Sequence, residues 1–299
     1  MFRRFHAILV TSSILPAIFT SLPVRSQTWY PVRGSIEFGI SGMAVIDRVG
    51  TTVNLLVVHD NKDDGQGRLA TISLRVSDWP TYREIGWADG EPLPVDLEAL
   101  SAVPGTDTFV AVNSRGTAYH VALGVETDRV RLLGTFVLPD LPEGSNVESF
   151  ALQNVEGRLL AVWAHRGQGE DPAVLYWAEF DAQTYAFSAV SSEEIRVPYP
   201  IGAVRHISDL KVDTAGVAYA TAASDNGNDG PFASAAYVLG RFDLDRGTTT
   251  FHRSPLVSMT SDSVHKVEAI ELLPGEGGGL LLGTDDESFG SFIWRSHEF

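Results

Sequence analysis

A short apolar phrase with a polar or acidic centre recurs five times along this chain. The five copies are Ile40-Ser41-Gly42-Met43, Leu97-Glu98-Ala99-Leu100, Val147-Glu148-Ser149-Phe150, Ile207-Ser208-Asp209-Leu210 and Val267-Glu268-Ala269-Ile270. From Ser41 through Glu98, Glu148 and Ser208 to Glu268 the intervals are 57, 50, 60 and 60 residues. A repeat of this length built from strands marks a propeller or another array, because one such unit cannot bury its own faces and must stack on its neighbours.

Each unit reads as strands separated by turns. In the second, Leu97–Val103, Thr108–Asn113, Ala118–Val125 and Val130–Leu138 alternate apolar and polar residues with breaks at Gly105, Gly116 and Glu126–Asp128. That is the period of a half-buried strand, and four antiparallel strands make a propeller blade. The last unit is one strand short, while Trp29–Phe38 precedes the first unit without a partner. The expected fold is therefore all-β: a β-propeller of five four-stranded blades, closed by the N-terminal strand completing the last blade. That closure covers two sheet edges that would otherwise lie bare.

Arg3 and Arg4, an apolar run from Phe5 to Pro23 and the small Ser26 have the order of a secretory signal. Residues 1–26 are thus expected to be a signal peptide and 27–299 a single propeller domain, secreted or periplasmic. Loss of Arg3, Arg4 and Arg25 takes the net charge from −16 to −19. A body this acidic repels nucleic acid and anionic membrane. With no cysteine, the chain has no disulfide, thiol nucleophile or thiolate metal site.

A second polar set follows each phrase by 15 to 18 residues: His59-Asp60-Asn61, Asn113–Gly116, Ala164–Gly167, Ser224–Gly227 and Thr284–Glu287. In an antiparallel blade the start of strand one and the end of strand two share an end, so both sets should rim one mouth of the central channel. Glu98, Glu148, Asp209 and Glu268 are the expected metal ligands, hard oxygens that suit Ca²⁺ better than Zn²⁺. The expected catalytic groups are Glu148, His165 and His206. Arg115, Arg166 and Lys266 are expected to bind a small anionic molecule, with a protein ligand as the alternative partner. Carboxylates paired with neighbouring Lys and Arg, with no metal, are the competing reading of the same residues. Asp60–Gly65 and Asp225–Gly230 resemble calcium loops, but Thr71 and Ala236 stand where an EF-hand carries its last glutamate.

Asp96–Leu100, Asn146–Glu148, Ser224–Asn226, Lys266–Ala269 and Thr284–Glu287 together resemble a family of secreted bacterial β-propellers of the phytase-like, or esterase-like phytase, group. The resemblance implies a Ca²⁺-binding acidic face and phosphoester or ester hydrolysis. Ser41 and Ser208 depart from it, standing where the other phrases carry glutamate. A non-catalytic binding propeller and a calcium-dependent lactonase are the alternatives.

Overall fold

The computed structural model describes residues 28–75, 78–124, 127–245, 248–273, 275 and 278–296; the expected signal segment lies outside the described residues. The described residues form five antiparallel sheets arranged as the blades of a propeller, as the repeat predicts. The innermost strands are Gly42–Val49, Leu97–Ala102, Val147–Val155, Val204–Val212 and Val267–Leu273, and each packs beside the innermost strand of the next blade. Blades 1 and 2 each add three further strands in sequence order. In blade 5 the outermost strand is Tyr30–Arg33, which pairs antiparallel with Ser291–Arg295. The N-terminal strand therefore closes the ring, as expected.

The outer edges of blades 3 and 4 differ from the simple four-strand pattern. In blade 3 the strand Ala173–Asp181 pairs with both Ala186–Phe187 and Ser191–Ile195. In blade 4, Ser234–Asp245 pairs with both Thr248–Arg253 and Ser258–Asp262. An interrupted outer strand leaves only short exposed edges, which limits pairing with other chains.

Burial follows position in the blade. The inner strand Leu97–Ala102 is buried on both faces up to its last residue, whereas the outer strand Val130–Val137 alternates sides. Apolar side chains fill the space between adjacent blades in five clusters, one for each interface of the ring. Trp163 lies fully inside the cluster between blades 2 and 3, stacked on Tyr176 with ring centroids 5.8 Å apart. Trp87 and Trp177 are also buried packing residues, whereas Trp79 is exposed. No helix among the described residues is long and apolar enough to cross a membrane.

Candidate functional site

The end of the second strand in one blade is joined to the start of the first strand in the next by backbone hydrogen bonds. Asp96 N–H donates to Asn61 O (3.2 Å), Val147 N–H to Ser114 O (2.8 Å), His206 N–H to Arg166 O (2.9 Å) and Ile40 N–H to Thr284 O (2.9 Å). These staples bring the two expected polar sets to one mouth.

Three glutamates reach that mouth through the same irregularity. The strand pairing shifts between Leu97 and Ala99, between Val147 and Ser149, and between Val267 and Ala269, leaving Glu98, Glu148 and Glu268 without a cross-strand partner. A bulge of this kind bends the strand and re-aims the extra side chain. All three glutamates are buried.

Blade 4 contributes a cation. Arg205 Nη1 pairs with Glu148 (3.5 Å) and with Glu268, and its Nη2 pairs with Asp225 (3.2 Å). Arg166 also pairs with Glu148 (2.9 Å). Lys266 reaches Glu268 (3.2 Å), Asp285 (3.5 Å) and Glu287 (2.5 Å). Burial alone would raise the Glu268 carboxyl, but Lys266 and Arg205 overcome it and hold the group below its usual range. Asp285 is pushed well above its usual value by burial, which the neighbouring Lys266 does not offset, and it donates a hydrogen bond to Glu268. Burial thus favours the protonated form of Asp285, while Lys266 and Arg205 favour the charged form of Glu268 beside it.

The opposite side of the mouth holds Asp60, Asp96 and Glu98, each with a carboxylate oxygen within 4.8 Å of the others. Asp96 is fixed by the Ser114 hydroxyl, which donates to it at 2.5 Å, and by Lys62 at 2.9 Å. Its backbone is left-handed (φ 66°), a conformation Asp tolerates better than most residues. Burial, then the charge of Glu148, raises Glu98 well above its usual value; burial and Glu268 push Asp60 up to about 6. These three residues are the ones whose oxygens converge as metal ligands would.

The expected four-ligand metal set is not assembled in this form. Asp209 is fully buried in the wall of the channel, where it accepts from Leu210 N–H (2.7 Å), Ile270 N–H (2.9 Å) and Lys211 (3.4 Å). Glu148 and Glu268 are engaged by arginine and lysine instead. His206 has both ring nitrogens tied to backbone, accepting from Val197 N–H (3.2 Å) and donating to Gly169 O (2.9 Å). His165 accepts the Asn146 N–H at 2.9 Å. Arg115 is exposed on its turn, while Arg166 and Lys266 face carboxylates.

Asp60, Asp96, Asp225, Asp285 and Arg205 also line the mouth but stand outside the expected metal, catalytic and substrate-binding sets. Arg205 stands just ahead of the fourth phrase, where Ser208 replaces glutamate; a basic residue beside the carboxylates is what the competing ion-pair reading calls for. A cavity of about 480 Å³ opens at the other end of the channel, between Gln153, Lys211 and Glu271. Its position at the far ends of the inner strands separates it from the carboxylate mouth, so it does not enlarge this site.

No protein-family model matches the chain, and no curated protein matches it. Solved structures do. An endo-arabinase from Bacteroides thetaiotaomicron superposes with a TM-score of 0.53 at 8% identity, covering 88% of this chain and 96% of that one. A GH43 endo-arabinanase from Bacillus licheniformis gives 0.48 at 13% identity, covering 89% and 96%. An α-L-arabinofuranosidase from Podospora anserina gives 0.49 at 10% identity, covering 91% and 98%. The first of these shares the all-β five-bladed fold.

The phytase-like resemblance gains no support from a family model. The expectation of phosphoester, ester or lactone hydrolysis is corrected: the solved structure that shares this fold at a TM-score of 0.53 is named as an endo-arabinase. The mouth itself gives a physical reason against an anionic substrate. Arg166, Arg205 and Lys266 are each bound to carboxylates, so a phosphoryl group would meet excess negative charge.

Proposed function

We propose that the carboxylate mouth hydrolyses a glycosidic bond. The observation that carries this reading is that Glu148 and Glu268, from different blades, both pair with the same nitrogen of Arg205, while Asp285 donates a hydrogen bond to Glu268. Two carboxylates meeting at one nitrogen are separated by a short span, of the order of the roughly 5–5.5 Å between the two carboxyls of retaining glycosidases. The endo-arabinase of the same fold lends analogy and no more.

In this mechanism the Asp285–Glu268 pair gives its proton to the leaving oxygen as the bond from that oxygen to the anomeric carbon breaks. Glu148 forms the new bond to the anomeric carbon. A water then loses its proton to the Asp285–Glu268 pair and attacks the same carbon, releasing Glu148 and restoring the starting protonation. Arg205 is a positioning residue that keeps the two glutamates oriented and, with Lys266, favours the charged form of Glu268. Ca²⁺ takes no step here. The Asp60–Asp96–Glu98 group fits a cation by its oxygen donors, and Ca²⁺ would supply local charge neutralisation there.

The test is a panel of neutral aryl glycosides and oligosaccharides with the wild-type chain, Glu148→Gln and Asp285→Asn. Hydrolysis should proceed with retention at the anomeric carbon, read by proton NMR. Each substitution should lower the rate by roughly 10³-fold, the order expected for losing a nucleophile or acid. No turnover across the panel, or a Glu148→Gln chain as fast as wild type, would overturn the proposal.

A further inference from the structure

We infer that Asp60, Asp96 and Glu98 form a subsite for a primary ammonium group, so that the carbohydrate taken at this mouth carries a free amino sugar. The sugar part of this inference rests on the glycosidase reading; the ammonium part is measured separately.

Geometry is the first support. A primary ammonium has three N–H donors at tetrahedral angles and no acceptor. With charge-assisted N···O contacts of about 2.8 Å, its three acceptors stand about 4.6 Å apart. Asp60, Asp96 and Glu98 offer one oxygen each, all within 4.8 Å of one another. One oxygen from each of the three carboxylates thus lies within reach of a single ammonium.

A second, independent observation is the state of Glu98. Its side chain takes part in no hydrogen bond or ion pair of the described residues, is only 8% exposed, and directs an oxygen at Asp60 and Asp96. A buried carboxyl held among other carboxyls is costly unless a proton or a cation joins it. The chain also sets a primary ammonium of its own at the edge of this group. Lys62 reaches Asp96 at 2.9 Å from a turn where its side chain is 61% exposed. Held so loosely, it is readily displaced, and a ligand ammonium would take over Asp96 while also reaching Glu98.

The same chemistry states what is refused. An N-acetylated sugar has no charge at that nitrogen. A uronic acid brings a carboxylate into a cluster that already holds several.

The experiment is calorimetric titration of the whole chain with D-glucosamine, D-glucose, N-acetyl-D-glucosamine and, separately, CaCl₂. Glucosamine is expected to bind at least ~10-fold more tightly than either neutral sugar, a gap of about 1.4 kcal/mol. Glu98→Gln and Asp60→Asn should erase that preference. Lys62→Ala, a change at an exposed side chain, should strengthen glucosamine binding severalfold and keeps the test decisive if the buried variants misfold. Equal affinity for glucosamine and glucose, no binding of any sugar, or stoichiometric Ca²⁺ uptake with no glucosamine binding would each overturn the inference. Glucosamine preference without glycoside turnover would sink only the hydrolase reading; turnover of neutral glycosides without that preference would sink only this one.

Discussion

Glu148, Glu268 and Asp225 all lean on the guanidinium of Arg205, and each is at least half-buried. Replacing Arg205 with methionine keeps most of the side-chain volume but leaves these carboxylates facing one another. The expected loss of stability is about 3–5 kcal/mol, the cost of breaking a buried pair from one side; urea unfolding measures it. Asp285 has a different support. A Cβ built on Gly39 would lie 2.1 Å from Asp285 Oδ1, so the carboxyl rests against bare backbone of blade 1. Gly39→Ala should therefore displace Asp285, lower stability by about 1–3 kcal/mol as overpacking does, and reduce any glycosidase rate with it. Unchanged melting together with unchanged rate would show that Asp285 has room to move without consequence.

At the scale of elements, the strand Tyr30–Arg33 is fastened by more than its pairing. Trp29 just before it donates from Nε1 to Asp262 (3.0 Å) and packs on His265 with centroids 4.5 Å apart. Trp29→Ala should cost roughly 2–4 kcal/mol, somewhat under the range for fully buried aromatic truncations because Trp29 keeps some exposure. Hydrogen exchange should then quicken first in blade 5; uniform quickening across all blades would contradict closure at this seam. The seam was legible beforehand, because a strand lacking a partner at one end matched a blade lacking a strand at the other. The glutamates at the mouth were legible for a similar reason: they sit at fixed places in a repeat. The bulges that aim them were not, since a one-residue register shift leaves no trace in the alternation of apolar residues. Arg205 was legible only as a basic neighbour of Asp209, not as the partner of Glu148 and Glu268. It belongs to a longer inner strand that begins at Val204, so it falls outside the phrase shared by the other blades. Asp209 sits one place past the phrase's centre; Lys211 is its neighbour on the same strand, while its bond from a backbone N–H of blade 5 arises only where the blades pack together.

For the molecule as a whole, the unusual property is how many carboxyls are held above their ordinary range. Burial lifts Asp209 to about 7 and Asp60 to about 6, and Glu98, Asp285 and Glu271 are raised as well. A carboxyl whose folded value exceeds its unfolded one binds more protons when folded. Its contribution is full below the unfolded value near 4 and is lost as pH rises through the folded value. Glu268 and Asp225 are shifted the other way, and their contribution is lost only as pH falls below the usual carboxylate range. The ligand-free chain should accordingly melt at a higher temperature at pH 5 than at pH 8, with a difference of ~1–3 kcal/mol after screening of the partly exposed groups. Asp209→Asn should flatten that slope. A melting temperature that climbs from pH 5 to pH 8 would contradict the account.

The antiparallel pairing of Tyr30 with Ile293 and of Arg33 with Ser291 also sets how the ring responds to force. A pull applied just before Tyr30 and just after Arg295 acts on two neighbouring strand ends that lie side by side. Their ladder then carries the load one rung at a time, as a zipper does, while the other four blades stay unloaded. Tension applied there should open blade 5 at low force, whereas anchors placed across the ring would have to tear the apolar interfaces between blades together.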